Sequence, residues 1–314
     1  MALTLAQGNE YSTTEMQRAV IDRLVKDSEI LQRLPFVAIL GNSLTYDTIT
    51  TDAGADFYSV GDTWTESTPD VTQATAALKI LGGDADVDNF LLKTRSNKID
   101  LQGTVLGNKV KAVQYKFLDT LYYGNATTNT KEFNGLQLLL ASTTYNTVQS
   151  ATANGDGAAA TIAKMRQTKD LITGWKPDVM AMSKTMRRLL STYLDSVGSA
   201  FPRGVDRFGN QVEMFDNTPI IVDDHILNTE STTDLGVYES STTDDQTTIY
   251  FLTFDEMACC GIHSGDGVQV EEIGNLETKD AKRWRVKWYP SMMFQDLRSC
   301  SKYIGILSGS AVTA

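Results

Sequence analysis

Histidine is almost missing from this chain: there are two in 314 residues, His225 and His263, and neither belongs to a ligand motif. A zinc site or a histidine-centred acid–base site is therefore not expected, although His225 follows Asp223 and Asp224. Cysteine is scarce too, with three residues, of which Cys259 and Cys260 are adjacent and lack a neighbouring lysine or arginine to lower a thiol pKa. They read as reduced, buried thiols. No run approaches the ~18 apolar residues of a membrane span, and the first 15 residues carry neither a basic side chain nor a long apolar core, so a secretory leader is not expected. P-loop, GxGxxG, HExxH, CxxC and GxSxG motifs are all absent. GGDADVDNF resembles a calcium loop but has Asn89 at the sixth position and Arg95 at the twelfth, so it reads as a solvated turn. No enzyme activity and no cofactor are expected.

The net charge of −11 argues against a dedicated nucleic-acid reader, since phosphate binding needs clustered cations. Its distribution says more. Between Leu34 and Leu78 there is no Lys or Arg, against Asp47, Asp52, Asp56, Asp62, Glu66 and Asp70. From Lys93 to Lys116 the balance reverses, with Lys93, Arg95, Lys98, Lys109, Lys111 and Lys116 against Asp100 alone. An anionic segment is followed by a cationic one, and these twelve residues are the candidate interface set.

The apolar pattern predicts an α+β chain of one or two domains. Leu106, Val110, Val113, Phe117 and Leu121 mark one buried face of a helix from Asp100 to Tyr123, about 36 Å long at ~1.5 Å per residue. Gly124 and Asn125 are expected to end it in a left-handed cap. A polar arm precedes a predicted helix from Thr14 to Leu34, stopped by Pro35. From Phe36 to Phe90 the pattern is extended and poor in large aliphatic residues, which predicts a long hairpin resting on another copy of the chain. LQLLLAS, PDVMAMS, QVEMF, TPIIVDD, IYFLTF and VQVEEI read as strands. Thr161 to Trp175 reads as a helix, and Ser183 caps another whose face is Met186, Leu189, Leu190, Tyr193, Leu194 and Val197. The stretch from His225 to Thr248 reads as a polar surface excursion. KRWRVKWYPSMMF reads as one strand with Trp284, Val286 and Trp288 buried and Arg283, Arg285 and Lys287 forming a cationic face.

Taken together, the arm and helix, the extended loop after FVAILGNSLTY, the long helix closing on LDTLYYGNATTNTKEFNGL, the SKTMRRLL helix and the late KRWRVKWYPSMMF strand resemble the major capsid proteins of tailed bacteriophages, which share the Hong Kong 97 fold. The resemblance implies an N-terminal arm and helix (1–35), an extension-loop hairpin (36–90), a peripheral domain with the spine helix (91–136 and 268–302) and an axial domain (137–267 and 303–314). It implies a structural protein forming hexamers and pentamers in an icosahedral head around double-stranded DNA, held without sequence-specific binding. The other implied partners are a portal protein, a separate scaffolding protein and a decoration protein, with no membrane; the location is the virion, after assembly in the cytoplasm of a bacterial host. The hairpin has no lysine from Gly41 to Leu78, so a non-covalent lattice is expected, with the acidic hairpin of one subunit on the basic spine segment of the next. An encapsulin-type compartment shell and a soluble α+β enzyme are the rival readings.

Overall fold

The helical stripe read from the sequence is buried residue for residue: Leu106, Val110, Val113, Phe117 and Leu121 all lie in the core, joined by Leu118 and Tyr122. The computed structural model describes residues 3–4, 28–51, 53–95, 101–141, 145–150, 157–198, 203–205, 211–230, 245–265 and 267–313. In chain order the first elements are β1 (Leu3–Thr4), α1 (Glu29–Arg33), β2 (Pro35–Ile39), β3 (Ser43–Thr51), β4 (Asp70–Ala77), β5 (Leu81–Asp88), α2 (Asn89–Arg95), the spine helix α3 (Leu101–Tyr123) and α4 (Leu136–Leu139). There follow β6 (Thr147–Gln149), α5 (Ile162–Asp170), β7 (Val179–Met182), α6 (Lys184–Ser196), β8 (Arg203–Val205), β9 (Gln211–Phe215) and β10 (Thr218–Val222). The chain closes with β11 (Gln246–Leu252), β12 (Cys259–Ser264), β13 (Gln269–Asn275), β14 (Ala281–Trp288), β15 (Pro290–Phe294) and β16 (Ser301–Leu307).

These strands form four sheets: a seven-stranded one ordered β6-β16-β11-β7-β10-β9-β8, a four-stranded one ordered β1-β2-β12-β15, a three-stranded one ordered β13-β14-β5, and the β3-β4 pair. The spine helix lies where three of them meet. Its apolar face packs with Phe36 of β2, Val87 of β5, Trp284, Val286 and Trp288 of β14, and Tyr250 and Leu252 of β11. A second core, with Met165, Met180, Met182, Met186 and Leu190, sits between α5, α6 and the seven-stranded sheet, so the methionines are packing residues. Thr161 and Ser183 cap α5 and α6 by accepting from the main-chain N–H of Lys164 (3.2 Å) and Met186 (3.3 Å).

Several expectations are corrected. LQLLLAS is not a strand; Leu136–Leu139 form a single helical turn, because a short apolar run carries no period of its own. The spine helix does not end in a left-handed cap, since neither Gly124 nor Asn125 has positive φ. Gly124 is needed for closeness instead: its N–H donates to Thr120 O and its C=O accepts from Gly135 N, both at 2.8 Å, and a Cβ on Gly124 would stand 2.3 Å from Phe133 O and 2.5 Å from Thr120 O. GGDADVDNF is not a solvated turn but most of β5, in which Ala85 and Val87 are buried while Asp84 and Asp86 point the other way. KRWRVKWYPSMMF is two strands in two sheets, split at Tyr289. The excursion from His225 is not all surface, since Glu230, Gln246, Thr247 and Thr248 have no solvent exposure. Helix α5 stops at Asp170, and Val197 of the predicted α6 face is exposed. Strand β12, absent from the sequence reading, is central to the four-stranded sheet. Most of the predicted helix from Thr14 to Leu34 lies outside the described residues; within them it is not continuous, since Ser28 is extended and caps the separate short helix α1, in which Ile30 and Leu31 are buried.

Candidate intersubunit surface

The β3-β4 pair is in register from Ser43↔Ala77 to Thr51↔Asp70, with one bulge near Ile49. Its root is seated on the chain's own body. Leu44, Tyr46, Ala76 and Leu78 pack on Cys260 and Ile262 of β12 and Met293 of β15. Leu78 N donates to Asn42 O (2.8 Å), Lys79 N to Pro290 O (3.1 Å) and Lys79 Nζ to Thr130 O (2.7 Å). Among the described residues the far half has no such support. Phe57 and Val60 are fully exposed and Trp64 is 78% exposed. The tip is nevertheless ordered by its own contacts. Tyr58 stacks on Trp64 with ring centroids 4.5 Å apart, its hydroxyl accepts from Thr65 N (3.1 Å), and Gly54 N donates to Ser67 Oγ (2.8 Å). At the turn, Asp62 Oδ2 accepts from Ser59 N at 2.6 Å, while Gly61 takes a φ of 98° that favours glycine. Large aromatic side chains held in place and left in water are the expected anchors of a protein–protein contact.

The extended pattern from Phe36 to Phe90 does not by itself single out this tip, because Phe57 and Tyr58 are β-prone residues. The usable signal was three large apolar residues, Phe57, Val60 and Trp64, crowded around the Gly61-Asp62 turn, where a hairpin ordinarily places polar residues.

The acidic candidates behave differently from the basic ones. Asp47, Asp56, Asp62, Glu66 and Asp70 are all exposed along the hairpin; Asp52 lies outside the described residues. The basic candidates mostly turn to their own body. Lys116 pairs with Glu132 (2.8 Å), and Lys111 Nζ lies 5.2 Å from the centroid of the Tyr115 ring. Lys109 crosses β5 so closely that a Cβ on Gly83 would be 3.0 Å from its Nζ, and its charge acts on Asp84. Lys93 is exposed on α2; the side chain of Arg95 and all of Lys98 lie outside the described residues.

The cationic face predicted on β14 is neutralised at home. Arg285 binds Asp84 through two nitrogens (2.5 and 2.9 Å), Arg283 binds Asp86 likewise (2.6 and 2.7 Å), and Lys287 and Lys282 meet Glu271 (2.5 Å) and Glu272 (2.6 Å) on β13. Those arginine hydrogen bonds hold the Asp84 and Asp86 carboxyls below their ordinary range.

Residues weighed for chemistry are scattered. His225 Nδ1 is 2.6 Å from Asp119 on the spine helix, with its ring edge-on to Tyr115, whereas His263, on β12, packs against Phe36 of β2, and burial lowers its pKa. All three cysteines are buried, and burial pushes the Cys260 thiol up to about 12. Among the described residues no group of three or more His, Cys, Asp or Glu could hold a metal, and no helix is long and apolar enough to cross a membrane.

No protein-family model matches the sequence, and no curated protein matches it. Solved structures do. The fold is similar to the SrpI encapsulin complex of Synechococcus elongatus, with a TM-score of 0.67 and 13% identity over 90% of this chain and 88% of that one. It is similar to the capsid of a native GTA particle (TM-score 0.61, 11% identity, 88% of this chain and 89% of that one) and to a Mycobacterium phage Bobi structure (TM-score 0.57, 12% identity, 88% and 90%). The chain has an α+β fold of the Hong Kong 97 type, as expected from the order of its parts.

Proposed function

We propose that the chain is a major capsid protein that assembles with its own copies, as hexamers and pentamers, into the icosahedral head of a tailed phage around double-stranded DNA. The observation that carries this reading is the hairpin, which is fastened at its root and carries an ordered, exposed aromatic tip that no described residue of its own chain covers. Two or three buried aromatics at ~150–250 Å² each are a substantial share of a subunit contact. The division into arm, hairpin, peripheral and axial parts belongs to the same proposal, as do the portal, scaffolding and decoration partners and a virion location after assembly in a host cytoplasm. The hairpin acids add long-range steering toward basic residues of a neighbour, of which Lys93 is the best placed. The lattice between subunits is non-covalent on this reading.

An encapsulin-type shell around a protein cargo is the second reading, favoured by the likeness to the SrpI complex. Light scattering and negative-stain microscopy on the untagged chain, with and without its genomic neighbours, test both. Uniform shells or capsomers support a shell protein, and shells filled with DNA rather than protein select the phage head. A monodisperse monomer under every condition would sink the proposal.

A further inference from the structure

Two of the three cysteines meet at the junction of two sheets. Cys259 opens β12 of the four-stranded sheet, and Cys300 immediately precedes β16 of the seven-stranded one. Strand alternation sends Cys259 and Cys260 to opposite faces. Cys259 shares the large core with Cys300, whereas Cys260 joins the small core under the hairpin root with Ile262 and Met293. The segment after β11 brings the first pair together. Phe254 forms a parallel bridge with Cys259, and the residue before it, Thr253, donates its N–H to Cys300 Sγ at 3.3 Å. The Cys259 thiol donates to the same sulfur, and Ser299 Oγ lies 3.7 Å from it. Both cysteines are buried.

The two sulfurs are chemically unequal. Burial opposes ionisation of Cys300, as does the Asp178 carboxylate, but the Cys259 S–H, the Thr253 N–H and Ser299 outweigh them and hold its pKa below that of an ordinary thiol. Cys259 moves the other way, because its proton is engaged by Cys300 and the site is dry. One sulfur is thus a nucleophile and the other a protonated partner in contact with it, which is the division of roles in disulfide formation through a sulfenic acid. Cys260 is a bystander whose thiol donates to Glu256 O at 3.7 Å. We propose that Cys259 and Cys300 are a disulfide site, reduced when the chain is made and closed by hydrogen peroxide, a water-sized oxidant, when the folded chain meets oxidising surroundings. The Cys300 thiolate attacks one peroxide oxygen, the O–O bond breaks, and the departing hydroxide takes up a proton to leave as water. Cys259 sulfur then attacks the sulfenic sulfur. The S–S bond forms as the S–O bond breaks, and the Cys259 proton leaves with the hydroxyl as a second water. Two thiols are oxidised by two electrons and one peroxide is reduced to two waters. The bond ties β12 to β16 and closes the loop that carries β13, β14 and β15, and its position inside the core shields it from larger thiol reductants. The site lies within one chain and does not depend on shell assembly.

The test uses the folded full-length chain, purified with reductant, freed of it, exposed to millimolar hydrogen peroxide, quenched with catalase and denatured in N-ethylmaleimide. Mass spectrometry is expected to show a chain lighter by two hydrogens that takes one maleimide in place of three, and a non-reducing digest that links Cys259 to Cys300. Cys260→Ser should keep the link and take no maleimide, whereas Cys300→Ser should lose the link. The oxidised chain should unfold about 5 °C above the reduced one. A wild-type chain that still takes three maleimides overturns the proposal without any variant having to fold. A link through Cys260, a link between chains, or a Cys300 carried on to sulfinic acid overturns it equally. An oxidised chain that unfolds at or below the temperature of the reduced one overturns the locking role of the bond.

Discussion

Two antiparallel regions of this molecule make opposite use of charge and aromatic residues. In the β13-β14-β5 sheet, Trp284 and Trp288 are buried against the spine helix and each basic side chain of β14 has an acidic partner on a flanking strand. In the β3-β4 hairpin, the tip aromatics Phe57 and Trp64 stand in water and the acids face solvent along its length. The first is complete within one chain. The second is complete only at its root, so its outer half is expected to finish against another copy. A surface acid without a counter-ion costs a monomer little, whereas an exposed tryptophan is retained where something covers it.

Breaking the complete region should have the largest effect on the monomer. Trp288→Ala empties a site between Phe36 and Phe117 and is expected to cost about 3–5 kcal/mol of folding stability, read from denaturant unfolding. Removing the tip should do the reverse. Phe57→Ala with Trp64→Ala should leave the unfolding free energy within about 0.5 kcal/mol of wild type while abolishing shells in microscopy, since such anchors are typically worth ~2 kcal/mol or more each. A double variant that still assembled at normal concentrations would erase the contrast.

Smaller effects sharpen it. Asp84 has its folded pKa depressed by Arg285, so the stability it contributes is fully present above its ordinary value of 3.8 and is lost as pH falls through the lower folded value. Asp84→Asn should therefore flatten the acid limb of a stability–pH curve, by about 1 kcal/mol because the pair is partly solvated. Reversing Asp47 and Asp56 to lysine should leave folding unchanged and slow assembly mainly at low salt, the signature of steering. Asp62→Lys adds loss of the Ser59 N–H bond that shapes the tip turn, so it should impair assembly at high salt as well. Equal salt dependence in all three would remove the distinction.

Much of this was legible in the sequence, because it is written in local repeats. The spacing of Leu106, Val110, Val113, Phe117 and Leu121 specifies a helix with one apolar side wherever it is placed, and Ser183 and Thr161 satisfy N–H groups three residues away. The alternation of Trp284, Val286 and Trp288 likewise specified a strand and its inner face. β5 could have been found by the same rule, since Leu81, Gly83, Ala85 and Val87 alternate with Asp84, Asp86 and Asp88, but two glycines and three aspartates outweighed that period. Which surface covers which was not legible. Asp84 and Arg285 are 201 residues apart and Gln137 and Lys302 are 165 apart, so only the folded chain decides that a predicted cationic face is neutral and that a lysine is buried beside an amide. The sequence by itself determined the spine, the helix N-caps at Thr161 and Ser183 and the charge asymmetry, because those depend on near neighbours. The tertiary structure decided which charges and aromatics remain for a partner, because that is what is left after all long-range pairings have been made.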